Sequence, residues 1–499
     1  MNLFHTFLAN RQEHSSESAF LVTSGDRSVS ISWGQFTDDI AVVAELIRAD
    51  RPQGAVALLG ENSYEWIVAH AACLFTGVTV VPIDVNLNPE QIAARLRKVR
   101  AAVLVHSSLY AEKARAAHNM CAGVLIASFG SVKTDLVMAL ARERLRFGKK
   151  SIWEDAPLER NEEAISMIVF TSGTTSMPRG VMITTQALES FIDYASERLD
   201  IRAGNRSLMI LPLQHIFGMC VAYLLLSKRA AMGVCPDFRR LYDAVERFRA
   251  DFLFLVPALA EILAKKISQK YVSAEAAFGS PLQWIAVGGA PLHRRVHDNL
   301  TILGVKVLGA YGLTETCSEY SLSNSSDVSL PGCAGLAART GGVETKVSEN
   351  GELLIKGPCV FKGYYEEPQE TAKVMTEDGW FRTGDTGKID EMGRVWVTGR
   401  ISRTIVLDSG KKVSPEELEM RLMELPGIQE CLVYEIDGTR TIVAEVYSQS
   451  SQKTVQRHID ELNKALPVYM RIRKVFTRDE PFPRTTSGKI KTGGKCREL

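Results

Sequence analysis

Neither sign of charge dominates this 499-residue sequence: 59 Lys and Arg stand against 58 Asp and Glu. That balance argues against a nucleic-acid footprint or a surface broadly drawn to anionic membranes. No C-x-x-C pair occurs, and the nine cysteines, at 73, 121, 220, 235, 317, 333, 359, 431 and 496, are scattered and odd in number. Reduced thiols of a cytoplasmic protein account for them most simply. The longest apolar run, residues 219–226, is too short to cross a bilayer. The first residues, MNLFHTFLANRQEHSSES, have neither the basic start nor the continuous apolar centre of a signal peptide. Internal repeats, low-complexity tracts and a G-x-x-x-x-G-K-[ST] loop are missing too. What remains, at 45% hydrophobic and 23% charged residues, has the composition of a globular protein with a sizeable core. The length calls for a large subdivided domain plus at least one smaller one.

The chain is organised around residues 170–181, FTSGTTSMPRGV. Thr171, Ser172, Gly173, Thr174, Thr175 and Ser176 follow a short apolar run, 167–170, that reads as a buried strand. Hydroxyls and backbone N–H groups with little bulk suit the wrapping of a polyanionic phosphate; Arg179 adds a cation and Gly180 lets the chain turn back. Alone, the stretch reads equally as a Ser/Thr-rich surface loop.

Upstream, strands at 55–59, 78–82 and 102–106 alternate with helices capped by Asn62 or Ser63 and starting at Pro89, which predicts a parallel sheet covered by helices. Residues 130–164 read as a solvated helix and linker between subdomains. Downstream, Thr184 or Thr185 caps a helix with Leu188, Ile192 and Ala195 on one face. LPLQHIFGM, 211–219, reads as a strand end running into a loop that exposes His215 and Phe217. Three more strand-then-loop units end at Val256, at Gly288, Gly289 and Ala290, and at YGLTE, 311–315. Ligands of open α/β sheets sit past strand ends of this kind. Beyond Gly351 short strands and turns suggest a small β subdomain. A capping box at 414–417, strands near 430–434 and 442–447 and a helix near 455–466 make a compact α+β tail, which ends in PRTTSGKIKTGGK.

The strings FTSGTTSMPRG, LPLQHIFG, VGGAPL, YGLTE, WFRTGD, GR…SPEELE and PRTTSGKI follow in this order. Their succession resembles the superfamily of AMP-forming adenylating enzymes: acyl- and aryl-CoA synthetases, peptide adenylation domains and beetle luciferases, with acyl-CoA synthetases nearest. The resemblance implies an α/β protein with a large N-terminal domain of helix-covered sheets plus a small β subdomain, residues 1–399. A hinge at 400–403 and a small mobile α+β C-terminal domain, 404–499, complete it.

The reaction it implies has two halves. A carboxylate attacks the α-phosphorus of ATP to give an acyl-adenylate and pyrophosphate; a thiol, usually that of CoA, then displaces AMP. Thr171, Ser172, Gly173, Thr174, Thr175 and Arg179 are the implied phosphate contacts. Ser176 and Arg179 depart from the usual glycine and lysine, and arginine keeps the charge while adding a planar fork. Glu315 is the implied ligand of ATP-bound Mg²⁺, with Thr174 beside it. Thr314 meets the α-phosphate; Gly289, Ala290, Gly309, Ala310, Tyr311 and Gly312 line the nucleotide and acyl pocket. Asp385 accepts from the ribose hydroxyls and Arg400 adds a ribose or phosphate contact. Lys489 is the expected catalytic cation of adenylation, arriving with a domain movement. His215, with Phe217, Gly218, Val256, Gly288 and Gly312, is placed at the acyl pocket.

LPLQHIFGM has no aspartate to pair with a substrate ammonium, which favours an acyl or aryl acid over an amino acid. In the hinge segment Ser402, Arg403 and Val406 replace residues that are often Lys or acidic, and Lys411 and Lys412 offer charge to CoA. The expected partners are a carboxylic acid, ATP with Mg²⁺, and CoA, with the phosphopantetheine of an acyl carrier protein as alternative acceptor. No nucleic acid and no transmembrane segment are expected, and the protein is a monomer or homodimer. A nucleotide-binding protein with weak catalysis is the competing reading from another class.

Overall fold

Turn and cap chemistry sets the first alternation of strand and helix. In the computed structural model, Ala55–Leu59 is buried along its whole length. Ser63 accepts from the Trp66 N–H to start helix Tyr64–Thr76, and Gly77, at φ 76°, ends it. That left-handed turn favours glycine. Of the two expected caps Ser63 takes the role, while buried Asn62 donates to the Leu211 carbonyl at 2.8 Å and accepts from Leu213 N–H at 2.9 Å. It thereby ties this helix start to the segment leading to His215. Asn88 and Gln91 form a reciprocal capping box on Pro89–Lys98. Thr184 caps Thr185–Arg198, whose Leu188, Ile192 and Ala195 are buried as expected.

The structure describes residues 2–24, 27–50, 54–129, 152–153, 163–171, 178–235, 237–278, 282–436, 439, 441–483 and 490. Most of the expected linker at 130–164 therefore lies outside the described residues. Ile152 and Trp153 within it are buried, not solvated. Trp153 stacks on Phe4 at 5.1 Å between ring centroids and donates from Nε1 to the Thr37 carbonyl at 3.0 Å.

Two large sheets result. One has six strands in the order Leu125–Ser128, Ala101–His106, Ala55–Leu59, Val80–Ile83, Ile165–Thr171, Arg179–Thr184. All its neighbours run parallel except the last pair, an antiparallel hairpin. The other has nine strands, with Lys306–Tyr311, Trp284–Val287, Phe252–Leu255, Arg206–Met209, Ala231–Val234 and Ser18–Ser24 parallel in that order. Antiparallel strands close both of its edges.

Helices Tyr64–Thr76 and Ile216–Ser227 belong to one core that also contains residues of both sheets. In Ile216–Ser227 ten of twelve residues are buried, so this helix is apolar all round and lies between layers. Here the expectation of a strand running into an exposed loop is corrected: the helix begins directly after His215. Helices Pro89–Lys98 and Ala111–His118 cover the other face of the six-stranded sheet. Leu241–Phe248, Pro257–Lys270 and Arg294–Ile302 cover that of the nine-stranded one. The α/β layering read from the sequence is thus present.

The expected small β unit is a four-stranded sheet, Glu344–Val347, Glu352–Lys356, Phe381–Ile389 and Val395–Arg400. Beyond it, residues 405–475 close a core of their own. Its sheet contains Ile428–Ile436, Thr441–Ser448 and a strand not anticipated, Lys474–Arg478. Ser414 caps Pro415–Met423, while Glu417 pairs with Arg421 at 2.8 Å. Among the described residues no helix is long and apolar enough to cross a membrane. The eight described cysteines are free, and seven are buried.

Candidate active site

Strands Phe252–Leu255, Trp284–Val287 and Lys306–Tyr311 run side by side and in parallel, so their ends lie together. A side chain built on Gly288 would meet Phe217 at 3.3 Å and Ala310 at 3.4 Å, and one on Gly289 would meet Val256 at 3.7 Å. Phe217, Val256, Gly288, Gly289 and Ala310, expected together from the sequence, are therefore neighbours. Gly289 and Ala290 are exposed on the rim. His215 is half-buried at the N-cap of the helix that carries Phe217 and Gly218. Backbone packing explains three of the glycines. A Cβ on Gly218 would stand 2.4 Å from the Pro212 carbonyl oxygen, one on Gly309 2.0 Å from that of Cys333, and one on Gly312 2.2 Å from Ser318 backbone.

Past Lys306–Tyr311, Thr314–Thr316 forms a short 3-10 turn. Cys317 at φ 48° and Ser318 at φ 63° close it, an uncommon pair of consecutive left-handed non-glycine residues. The turn carries Thr314 and Glu315 out of the sheet. The Glu315 carbonyl accepts from Phe361 N–H at 2.9 Å, and its Oε1 accepts from the Tyr364 hydroxyl at 2.9 Å. Burial raises the Glu315 carboxyl above its usual range, and the Tyr364 hydrogen bond and the charge of Arg400 oppose that shift.

Asp385 is buried, and both of its oxygens are engaged. Arg400 Nε lies 2.8 Å from Oδ1, and the Tyr311 hydroxyl donates to Oδ2 at 2.7 Å. Asp385 and Arg400 face each other across antiparallel strands, which holds the pair in register. Burial and the neighbouring Asp385 push the Tyr311 phenol well above its ordinary value, so it donates and stays neutral.

Thr171 and Arg179 are cross-strand partners at the end of the hairpin that adjoins residues 172–177. Ser172, Gly173, Thr174, Thr175 and Ser176 lie outside the described residues, as does Lys489. Arg179 pairs with Glu370 and lies 3.8 Å from Glu367, and its guanidinium carbon sits 5.2 Å from the Tyr364 ring centre. Contacts thus run from Thr171 and Arg179 through Tyr364 to Glu315. The charge of Arg400 links Glu315 to Asp385 and Tyr311, which adjoin Ala310, Gly288 and Phe217. Sequence reasoning missed Tyr364, Glu367 and Glu370. The string GYYEEPQE, a glycine followed by two aromatics and a carboxylate run, was the available signal.

Among the described residues no cluster of three or more His, Cys, Asp and Glu side chains could hold a metal. One carboxylate, Glu315, nevertheless suits a Mg²⁺ that takes its other ligands from phosphates and water.

The description "AMP-binding enzyme" fits residues 8–365 as a family match. Indoleacetate–CoA ligase of Aromatoleum aromaticum is 26% identical over 489 residues, covering 92% of each chain. Feruloyl-CoA synthase of an Amycolatopsis species is 27% identical over 82% of each. Long-chain-fatty-acid–CoA ligase FadD15 of Mycobacterium bovis is 26% identical over 76% of this chain and 70% of its own. ATP-bound MatB from Rhodopseudomonas palustris superposes with a TM-score of 0.83 over 98% of this chain and 97% of its own at 24% identity, a likeness of fold. With that fold, with a family match across well over half its length, and with Asp385 bonded to Tyr311 and Arg400 near Glu315, the chain belongs to the AMP-binding enzyme family.

Proposed function

We propose that the protein is an ATP-dependent acid–thiol ligase that adenylates a hydrophobic carboxylic acid, fatty or aryl, with release of pyrophosphate, and then passes the acyl group to CoA. The observation that carries this reading is the pair of carboxylates, half-buried Glu315 and buried Asp385, each anchored by a tyrosine hydroxyl and both within the field of Arg400. The Asp385 carboxylate offers acceptor oxygens to ribose hydroxyls beside the charge of Arg400. Glu315 would hold Mg²⁺ on the ATP, and Thr174 is the second proposed ligand. That ion, when bound, neutralises part of the triphosphate charge.

Ser172, Gly173, Thr174 and Thr175 are the proposed phosphate contacts, and Thr314 meets the α-phosphate. Phe217, Val256 and Gly288 offer the acid an apolar wall, with His215 at its edge. The names of the relatives, ligases of indoleacetate, ferulate and long-chain fatty acids, support a hydrophobic acid without choosing among them. Lys489 is the proposed cation on the transferring phosphate, carried by residues 404–499 about a hinge at 400–403.

Mass spectrometry of products tests the reading. Purified protein is given ATP, Mg²⁺ and pooled fatty, aryl and amino acids, with and without CoA. An acyl-CoA with AMP and pyrophosphate is expected. An adenylate that accumulates despite CoA makes a carrier-protein thiol the acceptor; no pyrophosphate from any acid refutes adenylation.

A further inference from the structure

The ion pairs around Arg179 assign this residue a task other than meeting phosphate. It closes the hairpin that brackets residues 172–177, opposite Thr171. Its guanidinium, however, is taken up by helix Pro368–Val374, through Glu370 and through Glu367 just before it. Lys98 also pairs with Glu367, and Lys373 with Glu370, so two carboxylates are shared among three cations. Arg179 is only a quarter exposed, which strengthens these pairs over fully solvated ones.

Beneath the guanidinium lies the ring of Tyr364, 5.2 Å away and 6% exposed. A cation over an aromatic face is attracted to it, which fixes the plane of the ring. The backbone of Tyr364 is held as well: its N–H donates to Thr371 Oγ1 at 2.9 Å, and Tyr365 N–H donates to the Gly180 carbonyl at 2.7 Å. With ring and backbone fixed, the hydroxyl reaches Glu315 Oε1 at 2.9 Å.

We propose that Arg179 is a positioning residue: clamped by Glu370 and Glu367, it holds the Tyr364 ring so that the hydroxyl orients the Glu315 carboxylate toward the metal–nucleotide. This inference rests on the adenylation reading in assigning Glu315 to Mg²⁺. A positioning role depends on the pairing of charges between residues 179 and 370; a phosphate-contact role depends on a positive charge at 179.

The two roles separate when the clamp is weakened and the charge at 179 is kept. Titration calorimetry measures ATP binding with Mg²⁺ and, in parallel, with EDTA, for wild type, Glu370→Gln, Tyr364→Phe and Arg179→Glu. The expected result is a loss of roughly tenfold in Mg·ATP affinity for Arg179→Glu and Tyr364→Phe and a smaller loss for Glu370→Gln, with metal-free ATP binding unchanged in all three. Equal losses with and without Mg²⁺ for Arg179→Glu, with Glu370→Gln and Tyr364→Phe binding as wild type does, would make Arg179 a phosphate contact and overturn the proposal. Thermal unfolding of each variant identifies any that fails to fold; Glu370→Gln, the mildest change, then decides in its place. Wild type that binds Mg·ATP but releases no pyrophosphate overturns the adenylation reading, while Glu370→Gln still decides the role of Arg179.

Discussion

Arg400 and Arg403, separated by Ile401 and Ser402, hold on to different halves of the chain. Arg400 reaches back to Asp385 at 2.8 Å, within the four-stranded sheet. Arg403 reaches forward to Glu416 at 2.9 Å and Glu419 at 2.6 Å on helix Pro415–Met423, and donates to the Val433 carbonyl at 3.2 Å. One arginine completes the cluster of Tyr311, Glu315 and Asp385; the other fastens a unit whose apolar core, 405–475, stands apart from that of the preceding residues. Between them a single 3-10 turn, Ile401–Arg403, carries the chain across. A hinge at 400–403, as proposed, would fall between these anchors, and rotation there would leave both intact. Ser414 Oγ donates to the Thr398 carbonyl at 2.7 Å and is one bond across this boundary that such a rotation must break.

The most severe way to break the comparison is through Lys489. Lys489→Ala is expected to slow adenylate formation by about two to three orders of magnitude, as loss of a charge at a developing anion does, while thioester formation from preformed adenylate stays within about twofold. Separate assays of pyrophosphate release and of CoA acylation read the two steps. Equal loss in both would assign the tail to substrate binding in general. Asp385→Ala comes next. It removes a carboxylate held by Arg400 and Tyr311, and ATP affinity should fall by about ten- to a hundredfold. An unchanged Kd would remove Asp385 from the ribose site.

Much of this contrast was legible from the residue string. The alternation of strands and helices, the caps at Ser63, Thr184 and Ser414, and the gathering of Tyr311, Glu315, Asp385 and Arg400 follow from turn residues, apolar runs and motif order. Contacts that depend on tertiary placement were not legible. Tyr364 finds Glu315 across 49 residues, and Asn62 finds Leu211 across 149, with no local pattern to announce either. Residues 211–219 read as a strand end and loop where helix Ile216–Ser227 begins, because a fully apolar run has no periodicity to announce a buried helix. Buried Trp153 was assigned to solvent because the charge of its neighbours outweighed one aromatic side chain.

Arg403→Ala sharpens the other side of the comparison. It leaves Glu416 and Glu419 facing each other without their shared cation, on a helix packed against Ile428–Ile436. Since the arginine is about a quarter exposed, the cost should be about 1–3 kcal/mol, below that of a fully buried pair. Hydrogen exchange should quicken across Pro415–Met423 while ATP binding is unaltered. Exchange that quickens instead around Asp385 would show that the two anchors are not independent.

The smallest expected effect concerns pH and belongs to the large domain. Glu319 is fully buried in its core, with Ser190 Oγ donating to Oε2 at 3.0 Å and no hydrogen-bond partner for Oε1. Burial pushes its carboxyl up to about 8, so the folded protein carries it protonated at neutral pH. The unfolded chain ionises Glu near pH 4.3, so stability is present below that value, is lost as pH rises, and levels off once the folded carboxyl ionises near 8. Glu319→Gln removes the titration while keeping the shape. It should leave stability nearly unchanged at pH 4 and raise it by about 1–3 kcal/mol at pH 8, readable as a flattened dependence of Tm on pH. A pH dependence identical in the two proteins would mean that Glu319 is ionised within the fold, sustained by the nearby charge of Arg198.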